Sequence, residues 1–378
     1  MKLIHLSDLH LGKRVNGFSM LDDQTHILEQ ILSVIDAERP DAVLIAGDVY
    51  DRQSPPAEAV RLFDDFLVKL SGRGLCTVVI SGNHDSADRL AFGARLMTAS
   101  GVTIAPVFAG AVEPVVLQDA FGSVSIWPLP FLRRAQAQRF FPDTELKTES
   151  DAIAAVITGM GIDPAQRNVL IAHQFVTGAQ QCESEELQVG TADSVDVRVF
   201  DGFDYVALGH LHGPQQVGRE TVRYCGTPLK YSFSEKDHEK SVTVVELGAK
   251  GDVTVRTVPL TPMHDLRELR GSYEELTLRE TYIGTAADDY LSIVLTDEQD
   301  VPDALAKLRI VYPNIMQLRY DNTRTRTETE LLPLDPEDRR TALELFEDFY
   351  ALQNGQDMTP EQRTLAARLL QEIEEAEA

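Results

Sequence analysis

The sequence predicts an α/β fold in which the strands of a parallel sheet alternate with helices. Short apolar segments typical of buried strands occupy residues 2–6, 42–46 and 77–80. Between them, residues 23–38 and 55–70 carry apolar residues at helical spacing. This alternation of strand and helix is typical of parallel strands joined by right-handed crossovers.

The segment 42–46 ends abruptly at Gly47-Asp48. Glycine allows a tight turn at this point, and open α/β sheets bind their ligands at the carboxyl ends of their strands. A carboxylate there can offer one oxygen to each of two metal ions. A Gly-Asp pair after a strand is also a common turn or helix cap, so the interpretation depends on the polar residues that accompany it.

Polar residues that can bind a metal follow five apolar strands, the last two at 169–172 and 205–208. They are Asp8, His10, Asp48, Asn83, His84, His173, His210 and His212. Strand alternation predicts that residues two apart, such as Asp8 and His10 or His210 and His212, face the same point. Imidazole, carboxylate and amide ligands together suit Mn, Fe or Zn. The sequence therefore predicts a metal centre at the edge of the sheet.

The middle of the chain contains further predicted elements. Residues 87–99 are predicted as a helix, residues 102–131 as β-strands and residues 151–160 as a helix. Residues 180–190 are polar and acidic and are predicted to form a loop. Period-two alternation over residues 224–260 predicts an antiparallel region that completes a second sheet.

A boundary is predicted at Pro262, after which residues 263–333 form a small separate unit. Its expected elements are a strand at 290–295, a helix at 302–311 and a strand at 315–320. An α+β architecture is predicted for this unit.

The segment 334–378 is predicted to form two amphipathic helices. The first begins at Asp335-Pro336 and is broken at Asn354-Gly355, and the second begins at Thr359 with a capping box. From Asp335 onward there are twelve acidic residues and four arginines, a net charge of −8. Such helices are most often packed domain elements, and binding to partner helices is the alternative.

Composition limits the class of protein. A chain of 378 residues with 43% hydrophobic residues can form two or three domains with a sizeable core. No apolar segment reaches the ~20 residues of a membrane span, and Asp8 and His10 interrupt any amino-terminal export signal. Cys76, Cys182 and Cys225 lack metal-ligand spacing, which predicts a reducing cytoplasm.

The formal charge of −25 argues against broad electrostatic binding of nucleic acids. Divalent cations in a carboxylate-rich site would reverse the charge locally. No Gly-x-x-x-x-Gly-Lys-Ser/Thr segment occurs, so any dependence on ATP is expected to come from a partner.

Five short motifs occur in the order Asp-x-His, Gly-Asp-x-x-Asp, Gly-Asn-His-Asp, His and Gly-His-x-His. Their order resembles that of the calcineurin-like metallophosphoesterase superfamily. Residues 6–12, 82–86 and 89–90 are similar to the SbcD family, the nuclease subunits of bacterial SbcCD complexes. The resemblance is strong over residues 1–260 and rests on length and layout beyond them.

This resemblance implies a four-layer α-β-β-α metallophosphoesterase sandwich with a small α+β cap domain and C-terminal helices. Residues 1–262 would form the nuclease domain, residues 263–333 a DNA-facing cap, and residues 334–378 a helical segment that binds the SbcC ATPase. The family also implies a homodimer through the helices at 55–70 and 87–99, whose apolar faces include Phe63, Phe66, Phe92 and Leu96, and a heterotetramer with SbcC. These apolar faces could instead be ordinary core.

The resemblance further implies two divalent metal ions, usually Mn²⁺. The residues implied for the first ion are Asp8, His10, Asp48 and His212. Those implied for the second are Asp48, Asn83, His173 and His210. His84 would protonate the leaving 3′-oxygen or stabilise the transition state. Asp51 would either orient His84 or serve only as a helix cap.

The implied activity is Mn²⁺-dependent DNA cleavage, by double-strand exonuclease and single-strand or hairpin endonuclease action, in DNA end processing, repair and recombination. One alternative is another dinuclear metallophosphoesterase, such as a cyclic-nucleotide or protein phosphatase. A DNA-end tether with a vestigial metal site is the other. The cap and tail favour the nuclease over a small-molecule esterase, and the complete ligand set argues against the tether.

Overall fold

The structure is a computed structural model that describes residues 1–182, 185, 194–327, 341–354 and 357–377. Most of the predicted loop at 180–190, the predicted helix start at Asp335-Pro336 and the predicted break at Gly355 lie outside these residues. The chain divides into two compact units, Met1–Asp265 and Leu266–Ala378. The functional roles expected for the three predicted segments stay predictions.

The strands of the described residues are numbered in chain order. They are β1 (Lys2–Leu6), β2 (Arg14–Val15), β3 (Phe18–Ser19), β4 (Ala42–Ala46), β5 (Cys76–Ile80), β6 (Val102–Ala105), β7 (Val115–Asp119), β8 (Gly122–Leu129), β9 (Arg167–His173), β10 (Tyr205–Gly209), β11 (Gln215–Val217), β12 (Arg219–Tyr224), β13 (Ser241–Leu247), β14 (Val253–Pro259), β15 (Leu266–Gly271), β16 (Tyr290–Leu295) and β17 (Ile315–Tyr320).

The α-helices of the described residues follow the same order. They are α1 (Leu21–Glu38), α2 (Ala57–Ser71), α3 (Ala87–Leu90), α4 (Ala94–Met97), α5 (Arg134–Ala137), α6 (Glu149–Gly159), α7 (Tyr273–Thr277), α8 (Arg279–Tyr282), α9 (Ala304–Leu308), α10 (Thr323–Thr327), α11 (Ala342–Asn354) and α12 (Pro360–Glu377).

The first unit contains two six-stranded sheets. The first has the order β14-β13-β1-β4-β5-β6, and the second has the order β11-β12-β10-β9-β8-β7. The central strands β1, β4 and β5 run parallel, as do β8, β9, β10 and β12. The prediction that residues 224–260 complete a second sheet was wrong for β13 and β14. These strands extend the first sheet, because β13 pairs antiparallel with β1 and so covers its otherwise open edge.

The two sheets pack face to face through a largely apolar layer, in which the buried His5 of β1 contacts the hydroxyl of Tyr205 in β10 at 2.8 Å. Alternate residues of β4, Ala42, Leu44 and Ala46, meet Val169 and Ile171 of β9 in this layer. The outer face of the second sheet is covered by α6. Helices α1 and α2, which connect the strands of the first sheet, each bury one apolar face. The predicted four-layer α-β-β-α sandwich is confirmed.

The helix predicted over residues 87–99 is broken in the structure. Two four-residue helices, α3 and α4, lie on either side of Gly93, which has φ +75°. A left-handed residue cannot continue an α-helix, so the helical spacing of the apolar residues misled the prediction. Phe92 and Leu96, counted there as one apolar face, are 85% and 82% exposed.

The second unit contains a three-stranded parallel sheet in the order β15-β16-β17. One face of this sheet packs against α7 and α9 through Leu276, Leu291, Ile293, Leu308 and Tyr312. The strands match the predicted bounds at 290–295 and 315–320. Helix α9 begins later than predicted. Asp303 has a left-handed backbone (φ 54°), which an α-helix does not accommodate, so it lies before the first helical residue, Ala304.

Candidate metal centre

The loops that follow β1 and β4 are joined by backbone hydrogen bonds. The N–H of Asp8 donates to the carbonyl of Gly47 at 3.0 Å, and the N–H of His10 donates to the carbonyl of Asp48 at 3.0 Å. Asp8, His10 and Asp48 are all at most 2% exposed. The parallel pairing of β1 and β4 therefore brings the first two predicted motifs together in a buried site.

Four of the predicted ligands have left-handed backbones: Asp8 (φ 52°), His10 (φ 45°), Asp48 (φ 48°) and His210 (φ 105°). This conformation is strained for residues other than glycine, and such strain clusters at functional sites. The expectation that strand alternation aims Asp8 and His10 at one point was right in outcome but wrong in mechanism, because tight left-handed turns direct them.

The first cluster contains Asp8, His10 and Asp48, whose ligand atoms all lie within 4.8 Å of one another. His212 joins it, because its Nε2 lies 3.2 Å from Nε2 of His10. The oxygens of Asp8 also accept from the N–H of His210 at 3.0 and 3.2 Å, which holds the loop after β10 against the loop after β1.

The second cluster surrounds the side-chain oxygen of Asn83. This Oδ1 lies 2.9 Å from Nε2 of His173 and 3.0 Å from Nδ1 of His210. His210 and His212 therefore point to different clusters, and the expectation that they point the same way was wrong. Asp48 lies between the clusters, since its Oδ2 is 3.4 Å from Nε2 of His173 and 3.7 Å from Nε2 of His10.

The donor set fits divalent cations. Nδ1 of His173 donates to the carbonyl of Ala46 at 2.8 Å, so Nε2 is the nitrogen that faces Asp48 and Asn83. The nitrogen of His210 that faces the second cluster is Nδ1, which lies 3.0 Å from Oδ1 of Asn83. Carboxylate, amide and imidazole ligands are those that Mn, Fe or Zn accept.

The protonation states also favour cation binding. Burial lowers the pKa of His10 to about 4 and that of His210 to about 3, so both imidazoles are neutral at pH 7. Burial also lowers the pKa of His173, but the charge of Asp48 outweighs this effect and raises it to about 9. The proton held between His173 and Asp48 occupies a position that a cation would take, so metal binding should release it.

His84 lies beside the first cluster, with its ring centroid 4.9 Å from that of His10. Its Nδ1 contacts the backbone carbonyl of Asp51 at 3.1 Å. The carboxylate of Asp51 instead accepts from Lys13 at 2.7 Å and lies 3.6 Å from Nδ1 of His10. Any orienting effect of Asp51 on His84 therefore acts through its main chain. The ligand atoms of His10, Asp51 and His84 also lie within 4.8 Å, so His84 is near enough to be a ligand.

Glu235 and Lys240 are site residues that the sequence interpretation missed. Oε1 of Glu235 lies 3.2 Å from Nδ1 of His212, which leaves Nε2 of His212 facing His10. Lys240 donates to Glu235 at 2.7 Å, to Thr227 at 2.7 Å and to the carbonyl of His212 at 2.9 Å. Glu235 is fully buried. No motif or spacing indicated this pair, because it lies 23 or more residues beyond His212 in the chain.

Asp85 is a second missed residue, although it closes the Gly-Asn-His-Asp motif. Its buried carboxylate accepts from the N–H groups of Val49 (3.1 Å), Tyr50 (2.9 Å) and Gly82 (2.9 Å). It therefore fixes the loop after β4 to the loop after β5. Its position in the motif was the available signal.

Two glycines allow the loops to approach so closely. A Cβ atom on Gly209 would lie 1.9 Å from the carbonyl oxygen of Ala46, and one on Gly82 would lie 2.1 Å from Oδ1 of Asp48. Neither contact is possible for a side chain, so only glycine permits this packing of strand ends.

Comparison with known proteins places this site in a family. A family model described as calcineurin-like phosphoesterase matches residues 1–214. The chain is 31% identical over 377 residues to the D subunit of the SbcCD nuclease of Staphylococcus epidermidis, covering 98% of both chains. The chain belongs to the SbcD family of calcineurin-like phosphoesterases. The predicted family resemblance is thereby confirmed.

One further relative and a second family model agree with the SbcD family. The D subunit of the SbcCD nuclease of Staphylococcus saprophyticus is 33% identical over 371 residues, covering 96% of each chain. Residues 262–354 match the family model SbcD_C, described as type 5 capsule protein repressor C-terminal domain. A crystal structure of the protein TT1561 of Thermus thermophilus covers 68% of this chain and 98% of its own at 12% identity and a TM-score of 0.38. No helix among the described residues is long and apolar enough to cross a membrane.

Proposed function

We propose that this SbcD-family chain is a Mn²⁺-dependent DNA nuclease subunit. It would act with an SbcC ATPase in DNA end processing, repair and recombination, as a double-strand exonuclease and a single-strand or hairpin endonuclease. The main observation in support is that side chains from the ends of five strands form two ligand clusters around Asp48. The names of the two similar staphylococcal proteins support DNA as the substrate.

The proposed ligands divide between the two clusters. Asp8, His10, Asp48 and His212 would hold one cation, and Asp48, Asn83, His173 and His210 would hold the other. Two divalent cations bound there would activate a water molecule for in-line attack on phosphorus and neutralise the phosphate charge.

The remaining residues position these groups and move a proton. His84 would donate a proton from its imidazole to the leaving 3′-oxygen, with its ring held by the carbonyl of Asp51. Glu235 would keep the proton of His212 on Nδ1, so that Nε2 stays available. Lys13 would hold the carboxylate of Asp51 in place through their ion pair.

The proposed partners follow from the same family assignment. The cap at 263–333 would face DNA, residues 334–378 would bind SbcC, and two chains would dimerise through α2, α3 and α4 to give a heterotetramer with SbcC. We also expect the protein in the cytoplasm.

A nuclease assay tests this proposal. The full-length chain is incubated with end-labelled duplex and hairpin DNA, with Mn²⁺ or with a chelator, and with or without SbcC and ATP. We expect Mn²⁺-dependent cleavage that SbcC and ATP stimulate on duplex ends. Hydrolysis of bis-p-nitrophenyl phosphate without DNA cleavage under any of these conditions would instead indicate another phosphoesterase. DNA binding without any hydrolysis would indicate a tether.

A further inference from the structure

An aromatic side chain lies at the rim of the metal centre and has no part in the proposed chemistry. The ring of Phe131, in the segment between β8 and α5, lies 6.5 Å from the ring of His210 at an interplanar angle of 16°. It meets the ring of His173 edge-on at 6.0 Å and 86°. Phe131 is only partly buried, so it is accessible to a substrate bound at the second ligand cluster.

The segment that carries Phe131 is fixed on both sides. The N–H of Phe131 donates to the carbonyl of Ser81 at 3.0 Å, just before Gly82-Asn83. The carbonyl of Leu132 accepts from the side chain of Gln174 at 3.0 Å, just after His173. Leu132 and Gln174 are buried. The backbone of Phe131 therefore keeps a fixed position relative to the ligands, which limits the conformational entropy lost when its ring contacts a substrate.

A cation accompanies the ring. The guanidinium carbon of Arg133 lies 5.6 Å from the centroid of Phe131, and Arg133 is exposed. An aromatic face stacks with nucleobases of any sequence, and a guanidinium binds phosphate oxygens or stacks beside the base. A phosphodiester at the metal centre carries a nucleoside on each side, so a base adjoining the cleaved bond falls within reach of this pair.

We infer that Phe131 and Arg133 form a nucleotide-binding subsite, in which a base next to the cleaved phosphodiester stacks on Phe131 and Arg133 contacts a neighbouring phosphate. This inference rests on the proposed nuclease function. Such a subsite would bind single nucleotides at a strand end independently of their sequence. Stacking would supply part of this binding in a protein whose net charge of −25 disfavours broad electrostatic attraction of DNA.

The chain offers a matched control for each residue. Phe121 is 62% exposed and has the guanidinium of Arg167 6.0 Å from its ring centroid. Phe121 precedes the eight-residue strand β8 and Phe131 follows it, and this strand is about 26 Å long at ~3.3 Å per residue. Arg139 is an exposed arginine six residues after Arg133. The variant Phe121→Ala therefore removes a comparable aromatic ring, and Arg139→Ala removes a comparable guanidinium, each outside the pair formed by Phe131 and Arg133.

The experiment uses full-length chains with Mn²⁺ and measures kcat and KM on oligonucleotides. Phe131→Ala should raise KM by about 5- to 150-fold, the equivalent of losing one stacked base, and Phe131→Trp should restore most of the loss. Arg133→Ala should raise KM and weaken its dependence on salt. Phe121→Ala and Arg139→Ala should leave both parameters unchanged.

A substrate with an abasic nucleotide beside the cleaved bond provides the decisive comparison. Placed on the stacking side, it should raise the KM of the wild-type protein and leave that of Phe131→Ala unchanged, because the variant has already lost the stack. If the abasic position affects both proteins equally on either side of the bond, the subsite is wrong. A lower affinity of Phe131→Ala for Mn²⁺ in calorimetry, without this substrate dependence, would also overturn it, since the ring would then only shield the ligands. Failure of the nuclease proposal is distinguishable, because the wild-type protein would then cleave bis-p-nitrophenyl phosphate but no DNA.

Discussion

The backbone N–H of His84 donates to Oδ1 of Asp48 at 2.9 Å, so the proposed general acid is attached by its main chain to the proposed bridging ligand. The other carboxylate oxygen, Oδ2, is the one that lies near His10 and His173. Since the side chain of His84 takes no part in this bond, the two residues can be tested separately.

The variants His84→Ala and Asp48→Asn should lose hydrolysis by different routes. His84→Ala keeps the bond to Asp48 and should retain both metal ions while turnover falls by about 10²- to 10⁴-fold, the usual contribution of general acid catalysis. Asp48→Asn removes the shared anionic ligand and should lower metal occupancy. Mass spectrometry of the purified variants reports the metal content. His84→Ala protein that is purified without metal would mean that His84 is a ligand.

Glu235→Gln should weaken Mn²⁺ binding by about 10- to 100-fold, a typical loss for a residue that orients a ligating histidine. The neutral amide still fills the space but does not hold the proton on Nδ1 of His212 as strongly. Calorimetric titration with Mn²⁺ measures the effect.

Two variants serve as controls for the change of charge at Glu235. Asp204→Asn breaks the ion pair between the buried Asp204 and Lys250, at the opposite end of the second sheet, and should leave Mn²⁺ affinity unchanged. Glu235→Gln with Lys240→Met removes both charges and should recover stability but not Mn²⁺ affinity. Equal losses of affinity in Glu235→Gln and Asp204→Asn would argue against a specific role for Glu235.

Gly209→Ala should lower the free energy of unfolding by at least about 1–3 kcal/mol, because its methyl group would overlap the carbonyl of Ala46 across the two sheets. Denaturant unfolding of the metal-free proteins measures this change. Gly159→Ala is the control: it lies in α6 with no atom within 4 Å of the added Cβ, and it should stabilise by about 0.5–1 kcal/mol. Unchanged stability of Gly209→Ala would mean that the sheets can separate at this point at no cost.

A homodimer is predicted through α2, α3 and α4. Of the apolar residues predicted at this dimer contact, Phe63 and Phe66 are buried in the core. The exposed Phe92 and Leu96 would therefore make the contact. Phe92→Ser with Leu96→Ser should therefore give a monomer in light scattering at micromolar concentration. Ile310→Ser, which removes an equally exposed residue of the second unit, should remain dimeric. A monomeric wild-type protein would contradict the prediction.

A chain that ends at Pro333 should fold, bind Mn²⁺ and hydrolyse bis-p-nitrophenyl phosphate at a near-normal rate, because every proposed ligand precedes residue 213. It should fail to co-purify with SbcC and lose ATP-dependent degradation of duplex ends. Helices α11 and α12 leave Phe346, Phe349, Leu365 and Leu369 between 40% and 49% exposed, which suits packing on partner helices. Full SbcC affinity in the truncated chain would place the docking site elsewhere.

The sequence alone determined the strands and the positions of the polar residues that follow them. Buried parallel strands can be recognised from local sequence, by an apolar segment of four to seven residues that ends at a glycine or a polar residue. For this reason β1, β4, β16 and β17 match their predicted bounds. Seven of the eight metal-centre candidates lie within four residues after a strand, and His173 is the last residue of β9.

Tertiary structure alone decided which sheet β13 and β14 join and how the ligands divide between two clusters. Strand pairing depends on contacts between residues such as Ile4 and Val244, which no local pattern encodes. The direction of His210 is set by a left-handed backbone that its hydrogen bond to Asp8 supports, and the proton on His212 is positioned by Glu235. Because these interactions join distant parts of the chain, only the folded protein brings them together.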